Sequence, residues 1–302
     1  MSMTSTQSPQ MTSVRIWTLA ARPKTLPAGI VPVLVGGVMA YGDGGFHLVS
    51  FLAALFGSVM IQVGTNYAND LFDYLKRADT GERIGPLRVT HAGLATPRQT
   101  AIATMIVFAL ALAAGAYLVF RGGWPVAIIG LASILCGILY TAGPLALGYV
   151  GAADFFVLIF FGPVALAGTY YVQTLHMSWP IILAGLPFGM ISTAILVVNN
   201  LRDVDTDGKS GKKTLAVRYG RTFARWEYVF LLIGAAVFPA VMAAAGYGRK
   251  SIFVAAFYIL FSGPSIRAVF TATDGDRLNN TLAATGRLLI LYGLLFAIGW
   301  LW

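Results

Sequence analysis

The 26-residue run "LVSFLAALFGSVMIQVGTNYANDLFD" (residues 48–73) begins as an apolar stretch and ends in polar and acidic side chains. A helix needs only ~20 apolar residues to cross the hydrocarbon core of a bilayer. We therefore expect a membrane-spanning helix whose last turns project beyond the lipid. The whole chain is apolar, because 57% of its 302 residues are hydrophobic and only 11% are charged. Soluble domains carry about a quarter charged residues, so the sequence predicts an integral membrane protein.

Turn signals divide the chain into nine apolar segments, each long enough to suggest a membrane-spanning helix. The segments are 26–42, 48–73, 100–120, 124–141, 151–173, 178–202, 223–246, 251–270 and 283–302. The predicted fold class is all-α, a polytopic membrane protein with about nine transmembrane helices. Residues 1–14, which are rich in Ser and Thr, are expected to form a disordered tail, and residues 15–302 a single transmembrane domain.

The distribution of basic residues predicts which side of the membrane each loop faces. If the N-terminus is cytoplasmic, 18 of the 21 Lys and Arg residues fall in cytoplasmic segments, and only Arg121, Arg249 and Lys250 lie outside. Cytoplasmic loops of membrane proteins carry this excess of positive charge. We therefore expect a multi-pass protein of the plasma (inner) membrane whose acidic segments face the cytoplasm. The same loops account for the net charge of +9, so no nucleic-acid partner is expected.

A second polar segment, "NNLRDVDTDGKSGKKTLAVRYGR" (199–221), also follows an apolar run and also mixes acids with bases. Asn66 and Asp70 of the first segment recur 133 residues later as Asn199 and Asp203. Helical spacing places the acids of each segment on one face. The members of the two faces are Asn66, Asp70 and Asp73, and Asn199, Asp203 and Asp207. Carboxylates at a helix C-terminus meet like partial charge, so a cation must offset them.

The donor types in these segments favour a metal-chelated diphosphate. Asp and Asn are hard oxygen ligands that suit Mg²⁺, which is usually shared between carboxylates and a substrate phosphate. Nearby Lys and Arg residues can then donate directly to phosphate. A diphosphate held beside an apolar cavity suggests an isoprenoid substrate, with its hydrocarbon tail in the bilayer. The alternatives are solvated helix ends in which acids pair with bases, or a cation-coupled transporter whose intramembrane acids bind the ion.

At these residues the chain resembles the UbiA superfamily of intramembrane aromatic prenyltransferases. "NYANDLFD" (66–73) is similar to its first aspartate-rich motif, and "DVDTD" (203–207) to its second. The stretches "ARPKTLPAGIVPVLVG" (21–36) and "FFGPVALAGTYYVQ" (160–173) extend the resemblance, which is greatest to the branch acting on 1,4-dihydroxy-2-naphthoate in menaquinone synthesis. The resemblance implies nine helices around a central cavity, with both motifs at its cytoplasmic mouth. It also implies Mg²⁺ and a polyprenyl diphosphate.

The resemblance implies a role for each site residue. The implied metal ligands are Asn66, Asp70, Asp73, Asp203 and Asp207, and the same four aspartates, with Tyr140 and Asp154, are the candidate catalytic residues. The candidates for binding diphosphate or the acceptor carboxylate are Arg22, Lys24, Asn66, Arg83, Arg88, Asn199, Arg202, Lys212 and Lys213. The sequence departs from many superfamily members at Arg77, where they have a third acid. Asp79, the next acid, is therefore a less certain ligand. Asp205 is also less certain, because it lies two residues from both neighbouring acids and a continuous helix would point it elsewhere. Any single base has the alternative of setting topology.

The function expected from the resemblance is transfer of a polyprenyl group to 1,4-dihydroxy-2-naphthoate with loss of CO₂ and diphosphate, giving demethylmenaquinone. The lipid bilayer is the surrounding medium. The alternatives are other superfamily acceptors, namely 4-hydroxybenzoate, haem or a chlorophyll precursor. Helical periodicity does not separate these acceptors, and only the resemblance at "RIGPLR" (83–88) and "GKKTLAVRYG" (211–220) favours 1,4-dihydroxy-2-naphthoate.

Overall fold

The computed structural model describes residues 11–77, 85, 87–144, 146–247 and 249–302. These residues form helices joined by short turns, and the described part of the chain contains no β-strand. The all-α prediction is confirmed. The α-helices are α1 Ser13–Ala21, α2 Leu26–Gly42, α3 Leu48–Leu75, α4 Pro97–Gly122, α5 Trp124–Leu139, α6 Ala153–Ile159, α7 Ala165–Thr174, α8 Trp179–Ala184, α9 Leu186–Lys209, α10 Leu215–Ala244, α11 Gly263–Thr271 and α12 Gly275–Leu301. Pro23–Thr25 and Lys250–Phe261 are 3₁₀-helical, and Phe160–Val164 is a π-helical turn.

The lengths and compositions of these helices confirm a multi-pass membrane protein. Among the described residues, seven helical segments are long and apolar enough to cross a bilayer. An eighth is present if Ser251–Phe261 and Gly263–Thr271, which meet at a 41° bend, form one span. The apolar helix α5 is shorter. The count of nine spans and the cytoplasmic N-terminus stay predictions.

Helix α1 is an element that the search for apolar spans does not predict. It begins at Ser13, inside the expected tail, and Thr12 accepts a hydrogen bond from the Arg15 N–H at its start. It ends at Ala21 because Arg22 adopts a left-handed conformation with φ of 52°. The turn at Arg22 directs the chain into α2, so α1 and α2 meet beside the polar end of α3. Residues 1–10 of the expected tail lie outside the described residues.

Close helix contacts place α9 beside the broken α6–α7 segment. At Gly189, an added Cβ would lie 2.1 Å from the Leu158 carbonyl oxygen. An added Cβ at Gly162 would lie 2.7 Å from the Gly185 carbonyl oxygen. Only glycine permits these backbones to approach so closely. These contacts fix how α9 packs along the α6–α7 segment. They therefore help to set the position of the second acidic motif, which lies at the C-terminal end of α9.

The two helices that carry the acidic motifs pack in different neighbourhoods. Helix α3 contacts α4 and α5, whereas α9 contacts α10 and α12. Helix α2 touches both α3 and α9. An apolar core behind α9 includes Phe188, whose ring lies edge-on to Tyr292 and Phe296 of α12. The motifs can therefore face each other across a space between the two groups of helices.

Candidate functional site

A cavity of about 910 Å³ separates the two groups of helices. Its walls are mostly apolar side chains from α4, α5 and α7, including Leu112, Ile134 and Val172. Its polar end collects side chains of both acidic motifs. Those polar lining residues are Arg22, Asn66, Asn69, Asp73, Arg88, Asn199, Asn200, Asp203, Asp207 and Lys212. The predicted cavity is confirmed, and it joins an ionic end to an apolar interior.

Asp73 is the acid of the first motif that faces this cavity. Its Oδ2 forms a buried ion pair with the Arg88 guanidinium. Its Oδ1 accepts a hydrogen bond of 2.8 Å from the Tyr149 hydroxyl. Arg88 also donates to the Asn69 carbonyl oxygen at 2.6 Å, which holds the guanidinium against α3. Opposite charges and donated hydrogen bonds both favour the ionised carboxylate.

Lys212 joins the two motifs through one ammonium group. Its Nζ lies 3.5 Å from Asp73 Oδ2 and 3.3 Å from Asp207 Oδ1. The lysine reaches this position because Gly211, with φ of 79°, turns the chain back after α9. The Lys212 N–H then donates to the Asp207 carbonyl oxygen at 2.9 Å. Two carboxylates that are 134 residues apart in the sequence therefore lie within reach of a single cation.

Asp70, the other predicted acid of α3, points away from the cavity lining. Its Oδ2 accepts from the Val89 N–H at 2.8 Å, and its Oδ1 accepts from the Thr90 N–H at 3.2 Å. Asp70 is 2% exposed. Its carboxylate thus anchors the segment that delivers Arg88 to Asp73.

Asp203 in the second motif is held by a side chain instead. Arg202 donates from Nε to Asp203 Oδ1 at 2.8 Å and from Nη2 to Oδ2 at 2.5 Å. Arg202 also donates to the side-chain oxygens of Asn199, at 2.8 Å, and of Asn279, at 2.6 Å. The guanidinium is 1% exposed and lies outside the cavity lining. This geometry makes Arg202 a residue that positions the motif.

One hydrogen bond between α3 and the end of α1 positions two further polar residues of the lining, Asn66 and Arg22. The Asn66 amide nitrogen donates to the Ala21 carbonyl oxygen at 2.9 Å, which ties the end of α1 to α3. Arg22 follows that carbonyl directly and lines the cavity. The predicted metal ligand Asn66 therefore also holds Arg22 in place.

Aromatic side chains also line the cavity. Tyr140 lines the cavity, and so do Phe156 and Phe160, whose rings stack with centroids 6.2 Å apart. Tyr140 therefore presents its phenol ring to the cavity.

Several predicted site residues lie elsewhere. Lys24 and Lys213 are exposed and are not part of the cavity lining. Asp154 is buried at the start of α6, also outside the lining, and neither carboxylate oxygen has a hydrogen-bond partner in the described part of the chain. Asp205 is exposed and pairs with Arg221 at 2.7 Å. The predicted Arg83 and the uncertain Asp79 lie outside the described residues.

Several polar lining residues were not selected from the sequence. Asn69 accepts a 2.5 Å hydrogen bond from Thr141, and both line the cavity. Asn200 and Tyr149 also line it. Asn69 and Asn200 adjoin predicted residues, so a wider reading of the two motifs would have found them. Tyr149 has no such signal, because it lies in a loop remote from both motifs in sequence.

The donors at the ionic end fit a magnesium ion. Across residues 11–77, 87–144, 146–247 and 249–302, no three His, Cys, Asp or Glu side chains approach closely enough to hold a metal by themselves. Mg²⁺ typically uses one or two carboxylates and completes its shell with water and substrate phosphate. Asp73 and Asp207 supply that pair, and the Lys212 ammonium already lies between them. The donor set therefore suits a hard cation that arrives with a phosphorylated ligand.

The fold and the site define a multi-pass membrane protein whose cavity runs from an acidic and basic end into an apolar interior. Residues 29–284 match the UbiA prenyltransferase family, and the chain belongs to that family. The resemblance stated from the motifs is confirmed. Membership of a prenyltransferase family favours an enzyme over the cation-coupled transporter.

Individual relatives agree with this assignment. The chain is 32% identical to the 1,4-dihydroxy-2-naphthoate octaprenyltransferase of Haemophilus influenzae, covering 95% of this chain and 96% of that protein. It is 36% identical to the Mycobacterium tuberculosis protein of the same name, covering 95% and 97%. A solved structure of a UbiA homolog from Archaeoglobus fulgidus bound to GPP and Mg²⁺ superposes with a TM-score of 0.61. That match covers 93% of this chain and 99% of the other at 15% identity.

Proposed function

We propose that the protein transfers a polyprenyl group from polyprenyl diphosphate to 1,4-dihydroxy-2-naphthoate, with loss of diphosphate and CO₂. One observation carries the reaction type: Asp73 and Asp207 converge on one cation at the mouth of a largely apolar cavity. The acceptor rests on relatives named for that substrate and similar to this chain over nearly their whole length. The proposed site opens to the cytoplasm, in the plasma membrane.

The ionic end binds the diphosphate. Asp73 and Asp207 would hold Mg²⁺ together with water and substrate phosphate, and Asp203 and Asn66 are further proposed ligands, whereas Asp70 acts on the site through the segment that it anchors. When bound, the metal neutralises charge on the departing diphosphate. Lys212, Arg22 and Arg88 line the same end and can donate to phosphate oxygens. The polyprenyl chain then extends along the apolar walls of the cavity.

Cavity aromatics stabilise the developing positive charge on the prenyl group. Breaking the C1–O bond leaves an allylic cation, and the electron pair departs with diphosphate. The ring faces of Tyr140, Phe156 and Phe160 can stabilise such a cation within ≈ 6 Å. The walls also exclude water, which would otherwise capture the cation as an alcohol.

The acceptor supplies the electrons for the new bond. Its ring carbon bearing the carboxylate attacks C1 of the prenyl group, forming a carbon–carbon bond. Loss of CO₂ returns the electron pair of the broken bond to the ring and restores aromaticity. The transfer is redox-neutral, so the immediate product is the hydroquinone, demethylmenaquinol. Oxidation by two electrons in a separate step gives demethylmenaquinone.

A labelled-substrate assay on the purified protein tests this proposal. We expect CO₂ release from carboxyl-labelled 1,4-dihydroxy-2-naphthoate in equal amount to prenylated product, and loss of both when EDTA removes divalent metal. Prenyl diphosphates of graded length would identify the preferred donor. Preference for 4-hydroxybenzoate at equal concentration would replace the proposed acceptor, and full activity in EDTA would overturn the metal site.

A further inference from the structure

The loop between α5 and α6 contacts the first acidic motif and the polar segment 199–221, which contains the second. This loop runs from 140 to 152, and residue 145 lies outside the described part. On the α3 side, Thr141 donates to Asn69 Oδ1 at 2.5 Å, and the Gly143 carbonyl oxygen accepts from Lys76 at 2.9 Å. On the other side, the Val150 carbonyl oxygen accepts from Arg218 at 2.8 Å. The loop therefore bridges two neighbourhoods whose helices pack separately.

Tyr149 is the residue of this loop that touches the first motif and the turn that follows the second. Its hydroxyl donates to Asp73 Oδ1 at 2.8 Å. Its carbonyl oxygen accepts from the Lys213 N–H at 2.8 Å, which anchors the turn that carries Lys212. Its ring lies beneath the Lys212 ammonium, 5.2 Å from the centroid, and beneath that of Lys76, at 4.2 Å.

We propose that Tyr149 is a positioning residue for the prenyl-transfer site, acting on Asp73 through its hydroxyl and on Lys212 through its ring. The proposal rests on the proposed metal and diphosphate site. A hydrogen bond to one carboxylate oxygen fixes the rotation of Asp73 and directs Oδ2 toward Arg88 and Lys212. The ring face attracts an ammonium within about 6 Å, so it holds Lys212 between the motifs.

Two substitutions separate the two tasks. Tyr149→Phe keeps the ring and removes the donor to Asp73. Because a group that orients a metal ligand typically contributes 10–100-fold in affinity, we expect Mn²⁺ to bind about 10-fold more weakly. Tyr149→Leu removes the ring as well. In this variant we expect the KM for prenyl diphosphate to rise about 10-fold in addition to the weaker Mn²⁺ binding, since the Lys212 phosphate contact is worth about that factor. Prenyl transfer by Tyr149→Phe should keep a near-normal KM for that substrate.

The metal measurement does not depend on turnover. Mn²⁺ binding is followed by electron paramagnetic resonance on detergent-solubilised protein with inorganic diphosphate present. Tyr170→Phe is the matched control, because Tyr170 also donates to an aspartate, Asp43, at 2.9 Å but lies outside the cavity lining. It should bind Mn²⁺ and turn over as the wild type does. Thermal unfolding of each variant establishes that it is folded.

The outcomes distinguish this inference from the proposed function. Wild-type Mn²⁺ affinity in Tyr149→Phe would overturn the role of the hydroxyl. Equal KM values in Tyr149→Leu and Tyr149→Phe would overturn the role of the ring, and if the leucine variant does not fold, the phenylalanine variant alone decides the inference. A wild-type protein that binds no Mn²⁺ with diphosphate would instead overturn the proposed metal site.

Discussion

The ends of α3 and α9 repeat the same spacing of Asn and Asp but neutralise their acids by different means. In α3, the Asp70 carboxylate accepts hydrogen bonds from two backbone N–H groups of the following segment. In α9, the Asp203 carboxylate accepts two hydrogen bonds from the guanidinium of the adjacent residue, Arg202. A matched pair of motifs therefore does not imply matched partners.

The two motifs also differ in which of their acids face the cavity. On α3, the acid one turn further along, Asp73, lines the cavity, whereas Asp70 anchors a loop. On α9, Asp203 and Asp207 both line it. The α3 end thus depends on the backbone after the helix for its shape, and the α9 end depends on a side-chain network within the helix.

Removing an acid from the point where the motifs meet gives the largest expected effect. For Asp73→Ala and Asp207→Ala, we expect kcat/KM to fall on the order of 10³-fold, since loss of metal stabilisation costs several kcal/mol. Mn²⁺ binding should be lost in parallel. Asp205→Ala is the control, because its side chain is 79% exposed and pairs with Arg221 at the surface. If kcat/KM fell equally in all three variants, the position of an acid in the cavity lining would not explain its effect on activity.

Asp70→Asn tests the backbone-anchored end. An amide cannot repeat the charge-assisted bonds to the Val89 and Thr90 N–H groups, which are worth about 1.5–3 kcal/mol each. We expect the midpoint of thermal unfolding to fall and kcat/KM to drop about 100-fold, because Arg88 loses its support and acts on Asp73 less well. Asp43→Asn, at an acid that accepts from the Tyr170 side chain, should lower the midpoint less. A stable Asp70→Asn protein that has lost Mn²⁺ binding would make Asp70 a metal ligand and not an anchor.

Arg202→Gln tests the side-chain network at the other end. Asp203 would lose its bidentate partner, and Asn199 and Asn279 would lose a shared donor. We expect kcat/KM to fall about 10–100-fold, as for other groups that orient ligands. Arg221→Gln is the control, since its pair with Asp205 is exposed and contributes about 0–1 kcal/mol. If Arg221→Gln were equally damaging, the buried network would not be what orients the motif.

The sequence predicts the helices better than the contacts between their ends. Apolar runs long enough to span a bilayer correctly locate α2 and α3. Lipid offers no water to satisfy backbone N–H and C=O groups, so such a segment forms a helix, in which these groups pair with one another. The search for such runs misses α1, whose residues are amphipathic. Motif spacing selects Asp73 and Asp207, since acids one turn apart share a face. The spacing carries no information on the partner of Asp70 or on Tyr149, because those contacts form only when distant loops pack.

Lys212→Gln tests the residue that the ends of α3 and α9 share. Its ammonium lies between Asp73 and Asp207, so it stabilises the acids when no metal is present and competes with a metal that enters alone. With prenyl diphosphate bound, the same ammonium can donate to phosphate. The two measurements should therefore move in opposite directions. Mn²⁺ without diphosphate should bind more tightly to the variant, whereas the KM for prenyl diphosphate should rise about 10-fold. Lys213→Gln removes the same charge from an exposed neighbour and should change neither, so a parallel change in both variants would reduce the role of Lys212 to net charge alone.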